Sequence, residues 1–84
     1  MGIREQVRQF ITTNFYLPPD QKLEDGDSLL DSGLVDSTGV LEIVVFIEEK
    51  LGVTVSDQEI LPENLDSISK ITSFVEQRKT AKTR

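Results

Sequence analysis

The sequence predicts an all-α fold, a four-helix bundle with a short third helix and a long loop between helices one and two. Three observations predict it. Apolar residues recur at helical spacing in the segments 2–15, 37–51 and 67–76. Breakers separate those segments, notably Pro18-Pro19 and Gly52. Asp36, Ser56 and Ser67 stand where helix-capping residues belong.

Helix one is placed from Gly2 to Phe15. Ile3, Val7, Phe10, Ile11 and Asn14 recur at i, i+4, i+7, i+8 and i+11, and four of these five are apolar. Pro18 and Pro19 stop it. The loop from Leu17 to about Val35 is rich in Asp, Gly and Ser, yet Leu23, Leu29, Leu30 and Leu34 stud it. Leucines at that density imply a loop pinned to a core, and so long a loop in a small domain suggests a docking surface.

Helix two runs from Ser37 to about Leu51, with Asp36 as N-cap and Gly52 as the residue past its end. On a helical period Leu41, Val44, Ile47 and Leu51 form the expected core stripe, while Thr38, Glu42, Val45 and Glu49 form a second line with Leu41 and Glu48 at its margin. Val53-Thr54-Val55 is read as an extended link. Ser56-Asp57-Gln58-Glu59 has capping-box spacing and starts a short third helix that Pro62 is expected to limit. Ser67 caps helix four, whose apolar face is Ile68, Ile71, Phe74 and Val75. The expected core includes Phe10, Leu41, Val44, Ile47, Ile71 and Val75.

The chain has 84 residues, one domain over 1–84, with about 77–84 read as a frayed basic tail. A chain of this size buries only ~60–65% of its unfolded surface, so a single core is the limit. It contains neither cysteine nor histidine. Disulfides, thiolate metal sites and hydrolysis through a histidine base are thereby excluded. No apolar run approaches the ~20 residues of a membrane span. Charges interrupt the first helix, so no signal-peptide core is seen, and the chain reads as cytoplasmic with no membrane partner.

Net charge is −6, but residues 20–66 hold thirteen acids against two bases, a balance of −11. An acidic middle repels nucleic acid and attracts basic protein patches. Arg78, Lys79, Lys82 and Arg84 form a basic cluster without interleaved aromatics, a weak nucleic-acid signal. Neither placement of an EF-hand frame, with Gly26 or with Gly33 at its glycine position, puts acids where calcium needs them, and no metal site is assigned. Glu48 and Glu49 are adjacent on a helix and point apart, so they form no acid–base pair. No glycine-rich nucleotide loop is present.

The informative motif is Gly33-Leu34-Val35-Asp36-Ser37. Asp36 as cap puts Ser37 at the first helical position, where a phosphate on its hydroxyl would meet the positive end of a helix. A simple cap is the alternative reading. The Asp-Ser pairs at 31–32, 36–37 and 66–67 differ: Ser32 has no helix after it, Ser67 lacks the upstream glycine and leucine, and Ser37 alone has both the motif and the helix.

The stretch from Asp27 to Leu51 resembles acyl carrier proteins, in which the serine of a Gly-x-x-Asp-Ser motif carries 4′-phosphopantetheine. The resemblance extends over nearly the whole chain. It implies that Ser37 accepts the group from coenzyme A through a phosphopantetheinyl transferase, with Asp36 helping to hold that enzyme's magnesium. It implies a monomeric carrier that catalyses nothing and delivers acyl groups as thioesters in fatty-acid, polyketide or another specialised biosynthesis. Its partners would be an acyl- or aminoacyl-loading ligase and acyl-processing enzymes with basic docking patches. These would read Leu34, Thr38, Leu41, Glu42, Val45, Glu48 and Glu49. Two positions depart from the family pattern: Thr38 stands where an apolar residue is common and Gly39 where an acid is frequent, so the surface beside Ser37 reads as less apolar and less acidic than usual. An aminoacyl or peptidyl carrier of the same fold, or an unmodified acidic adaptor, are the alternatives.

Overall fold

The computed structural model describes residues 2–82, with side chains through residue 79. Its order is α1 (Ile3–Asn14), α2 (Ser37–Lys50), a 3-10 turn (Asp57–Glu59), α3 (Pro62–Leu65) and α4 (Ile68–Lys82). Among the described residues there is no strand. The all-α bundle, its short third helix and its long first loop are therefore as the sequence predicts.

α1 buries Val7 and Ile11 and packs chiefly on α4, while Phe10 is only half-buried. Ile68, Ile71, Phe74 and Val75 of α4 are all buried, so its predicted face is correct. Ser67 Oγ accepts the N–H of Lys70 at 3.0 Å, which caps α4. Residues 77–82, expected to begin a frayed tail, continue α4, and Arg78 forms an ion pair with Glu59 of the 3-10 turn. Arg84 and the Lys82 side chain lie outside the described residues.

Two expectations require correction. Leu41 is 55% exposed and outside the core. α2 is apolar on more than one side, and the stripe it buries is turned toward Ile43, which joins Val44, Ile47 and Leu51 in the core. Secondly, Pro62 does not limit the third helix; it begins α3. A proline at the first helical position loses no hydrogen bond and brings a suitable φ, so a proline that ends one turn can start the next. The capping box at Ser56 closes the separate 3-10 turn, with the Ser56 N–H donating to Glu59 Oε1 at 3.1 Å.

The loop before α2 is pinned as its leucines suggest. Leu23, Leu29 and Val35 are buried. Polar clamps complete the attachment. Asp66 accepts from the Ser28 hydroxyl at 2.5 Å and the Leu30 N–H at 2.9 Å, while its own carbonyl accepts the Leu29 N–H at 2.7 Å. Arg8 donates to the Leu23 carbonyl at 2.8 Å and pairs with Asp25. Gly33 has φ +78°, the left-handed region that glycine occupies without strain, and it turns the chain into α2. Gly52 has φ +71° just past Leu51, as a helix-ending glycine should.

Candidate functional site

The first turn of α2 is assembled from local signals. Asp36 is extended, and its Oδ1 accepts the Gly39 N–H at 2.8 Å. This caps one of the donors that a helix start leaves unpaired. Ser37 follows at the first helical position, exposed, with no hydrogen bond to its hydroxyl among the described residues. The other Asp-Ser pairs are occupied: Ser67 is buried under its capping bond, the Ser32 hydroxyl donates to the Leu29 carbonyl at 3.1 Å, and Ser28, in a fourth pair that the sequence comparison passed over, donates its hydroxyl to Asp66 Oδ2 at 2.5 Å. Ser37 alone of the four offers an unengaged hydroxyl at the N-terminus of a long helix.

Beside Ser37 lies a shallow, largely apolar groove of about 210 Å³. Leu30, Val40 and Leu41 form one side, and Ile60, Leu61, Pro62 and Leu65 form the other, with Asp66 at the edge. Leu41 and Leu61 are exposed apolar residues on opposite walls. An exposed hydroxyl at a helix N-terminus, with open space and an apolar surface beside it, fits a phosphate-linked arm with a hydrocarbon portion. A second, larger groove of about 680 Å³ runs between α1 and α2. Its floor includes Phe10 and Phe46, stacked with centroids 4.3 Å apart, and Glu42, Val45 and Glu49 are on its α2 side.

The predicted recognition residues therefore separate. Thr38, Glu42, Val45 and Glu49 are exposed along one line of α2 as expected. Leu41 belongs with Ser37 on the first groove, and Leu34 is half-buried against the core. Glu48 is engaged elsewhere: its Oε2 accepts the Val55 N–H at 3.0 Å and holds the link after α2. Among the described residues no three acids gather around a cation position, and no helix is long and apolar enough to cross a membrane.

Gly39 is not the surface position that the sequence suggests. It is buried, and a Cβ there would lie 2.8 Å from Phe15 Cε1 and 2.9 Å from Val35 Cγ1. The α3 wall of the groove was also missed. Its one signal in sequence is the apolar pair Ile60-Leu61 ahead of Pro62. Farther from Ser37, Glu59 is held below the usual carboxylate range, chiefly by the Ser56 backbone N–H and then by the Arg78 guanidinium.

Comparison with known proteins agrees with this geometry. The phosphopantetheine attachment site family matches residues 5–75. The chain is 33% identical over 76 residues to the acyl carrier protein of Campylobacter hominis, covering 90% of this chain and 92% of that one. It is 25% identical over 75 residues to the acyl carrier protein of Zymomonas mobilis, covering 89% and 92%. It is 36% identical over 59 residues to the D-alanyl carrier protein of Abiotrophia defectiva, covering 69% and 75%.

Proposed function

This chain belongs to the acyl carrier protein family, and from that premise we propose that Ser37 is the residue that carries its prosthetic group. The chain is a carrier and not an enzyme, and the group is 4′-phosphopantetheine. Bound, it supplies the thiol on which acyl groups travel as thioesters, a thiol that the cysteine-free chain lacks.

The observation that carries the assignment is the unengaged, exposed hydroxyl of Ser37 directly after the Asp36 cap. In loading, Ser37 Oγ bonds to the coenzyme A phosphorus nearer pantetheine, the pyrophosphate linkage breaks and adenosine 3′,5′-bisphosphate leaves. The chain has no histidine, and the neighbouring Asp36 carboxylate is engaged as the cap of α2, so the serine proton passes to a base on the transferase. Asp36 keeps the turn in place and is positioned to help hold the transferase's magnesium. Thr38, Leu41, Glu42, Val45 and Glu49 present the surface that the transferase and the loading and processing enzymes read, with Leu34 and Glu48 supporting its edges.

Fatty-acyl or polyketide cargo is the first reading, supported by the likeness to acyl carrier proteins over nine-tenths of the chain. The likeness to D-alanyl carrier proteins favours an aminoacyl cargo as the second. Intact-mass measurement after incubation with coenzyme A and a broad-specificity transferase tests the assignment. Wild type should gain one phosphopantetheine and Ser37→Ala none; loading that persists in the variant refutes it. The same measurement on protein from its native host identifies the cargo.

A further inference from the structure

We infer that Phe15 and Gly39 form a lock that positions Ser37 for loading, an inference that rests on Ser37 being the attachment residue. Glycine in the first turns of a helix is ordinarily a cost, because it gives up more backbone freedom than any other residue. At position 39 the missing side chain has a use. The Phe15 ring, at the end of α1, occupies the space that a Cβ would need, 2.8 Å and 3.2 Å from its Cε1 and Cζ. Val35 Cγ1 closes the other side at 2.9 Å.

Both neighbours are held by further contacts. The Phe15 ring meets Phe10 edge-on at 6.1 Å, and Phe10 is itself stacked on Phe46 of α2. Val35 is buried, and its N–H is bonded to the Leu29 carbonyl at 3.1 Å. The Gly39 N–H also donates to Asp36 Oδ1. One residue thus receives the ring from α1 and holds the cap of α2. Ser37 lies between these two fixed points, while its own hydroxyl is unheld. A methyl group at position 39 must displace the ring, Val35 or the capped turn. Val35 is joined directly to Asp36, so two of those three routes move the backbone that carries Ser37. Phe15 and Gly39 are positioning residues: they touch neither coenzyme A nor the hydroxyl.

The test measures transferase loading with coenzyme A by intact mass, for wild type, Gly39→Ala, Phe15→Leu, the double variant and Ser37→Ala. Misplacing a reacting group by a fraction of an ångström to an ångström lowers rates by about ten- to a hundredfold. Gly39→Ala should show that loss in kcat, with KM nearly unchanged, because Leu41 and Glu42 on the docking surface are untouched. Phe15→Leu alone leaves a gap over Gly39 and should slow loading severalfold; combined with Gly39→Ala it should restore part of the lost rate by vacating the ring's space, with Val35 Cγ1 still 2.9 Å from the new Cβ. Amide NMR signals of Asp36 and Ser37 should shift in Gly39→Ala and return in the double variant. Wild-type loading by Gly39→Ala, with the higher melting temperature that an ordinary Gly-to-Ala helix change brings, overturns the lock. So does a double variant as slow as Gly39→Ala. Should Gly39→Ala not fold, the double variant is compared with Phe15→Leu alone: equal rates support the lock, and a double variant about tenfold slower overturns it. Loading that persists in Ser37→Ala counts against the attachment assignment itself, whereas normal loading in Gly39→Ala counts only against the lock.

Discussion

Two apolar residues of α2 separate stability from recognition. Ile47 is fully buried and Leu41 is 55% exposed. Replacing Ile47 by Ala removes its methylenes and leaves a cavity, at a cost of about 2–5 kcal/mol. A domain of this length has a total stability of only ~4–12 kcal/mol. At ~4–8 °C per kcal/mol, a loss of about 3.5 kcal/mol lowers the melting temperature by roughly 14–28 °C. Leu41 buries less than half its surface, and complete burial of a leucine yields about 1.5–3 kcal/mol, so Leu41→Ala should cost about 1 kcal/mol or less. Its effect should appear in loading, since Leu41 lines the groove that Ser37 borders. The assay is thermal unfolding by far-ultraviolet circular dichroism, paired with transferase loading well below the transition. Ile47→Ala should melt early yet load normally while folded, and Leu41→Ala should melt near wild type yet load slowly. The reasoning fails if Leu41→Ala loses as much thermal stability as Ile47→Ala, or if Ile47→Ala melts with the wild type.

Charge reversal at Glu42 or Glu49 should slow loading more than reversal at Glu5 or Glu76, and the difference should shrink with added salt as encounter steering is screened; rates insensitive to both charge and salt would assign recognition to apolar contacts alone. Reversal at Glu48 should chiefly lower the melting temperature, because that carboxylate holds the Val55 N–H; an unchanged melt contradicts this. Ser67→Ala should load normally and lose about 1 kcal/mol with the cap of α4, read by urea unfolding. Glu59 has a depressed folded pKa, so its stabilising contribution is present above its unfolded value of 4.5 and is lost as pH falls through the lower folded value. Glu59→Gln should therefore be less stable than wild type at neutral pH, and the gap should close in acid below about pH 4.5; a gap independent of pH would remove the Arg78 pair from the explanation.

Features encoded within a few residues were legible in the sequence. The Asp36 cap, the Gly52 helix end, the Ser67 cap and the inward face of α4 all rest on neighbours in the chain. Those same local signals made Ser37 distinguishable from Ser32 and Ser67. Leu41 was misplaced because α2 is apolar at Val40, Leu41 and Ile43 through Ile47, so periodicity alone left the buried stripe undetermined. Pro62 was ambiguous because proline both ends and begins helices. Gly39 was legible only as a weak helix former, since its purpose depends on a ring delivered by α1. The Asp66 clamp and the α3 wall of the groove depend on contacts between residues far apart in the chain, which no local pattern announces.

The anchoring of the long loop has a practical consequence for engineering. Its anchors begin at Leu23, with the Arg8 bond, and end at Val35. The preceding stretch, Pro19 through Lys22, is exposed on every residue. An exposed tip between two fixed points is where chains best tolerate insertion. A peptide tag or dye-bearing cysteine placed at Asp20 or Gln21 would sit outside the clamps and leave the serine-bearing turn unaltered. Because the chain has no cysteine, such a thiol would be the only one before phosphopantetheine is attached, and labelling it ahead of loading gives a single handle for following the carrier from one enzyme to the next.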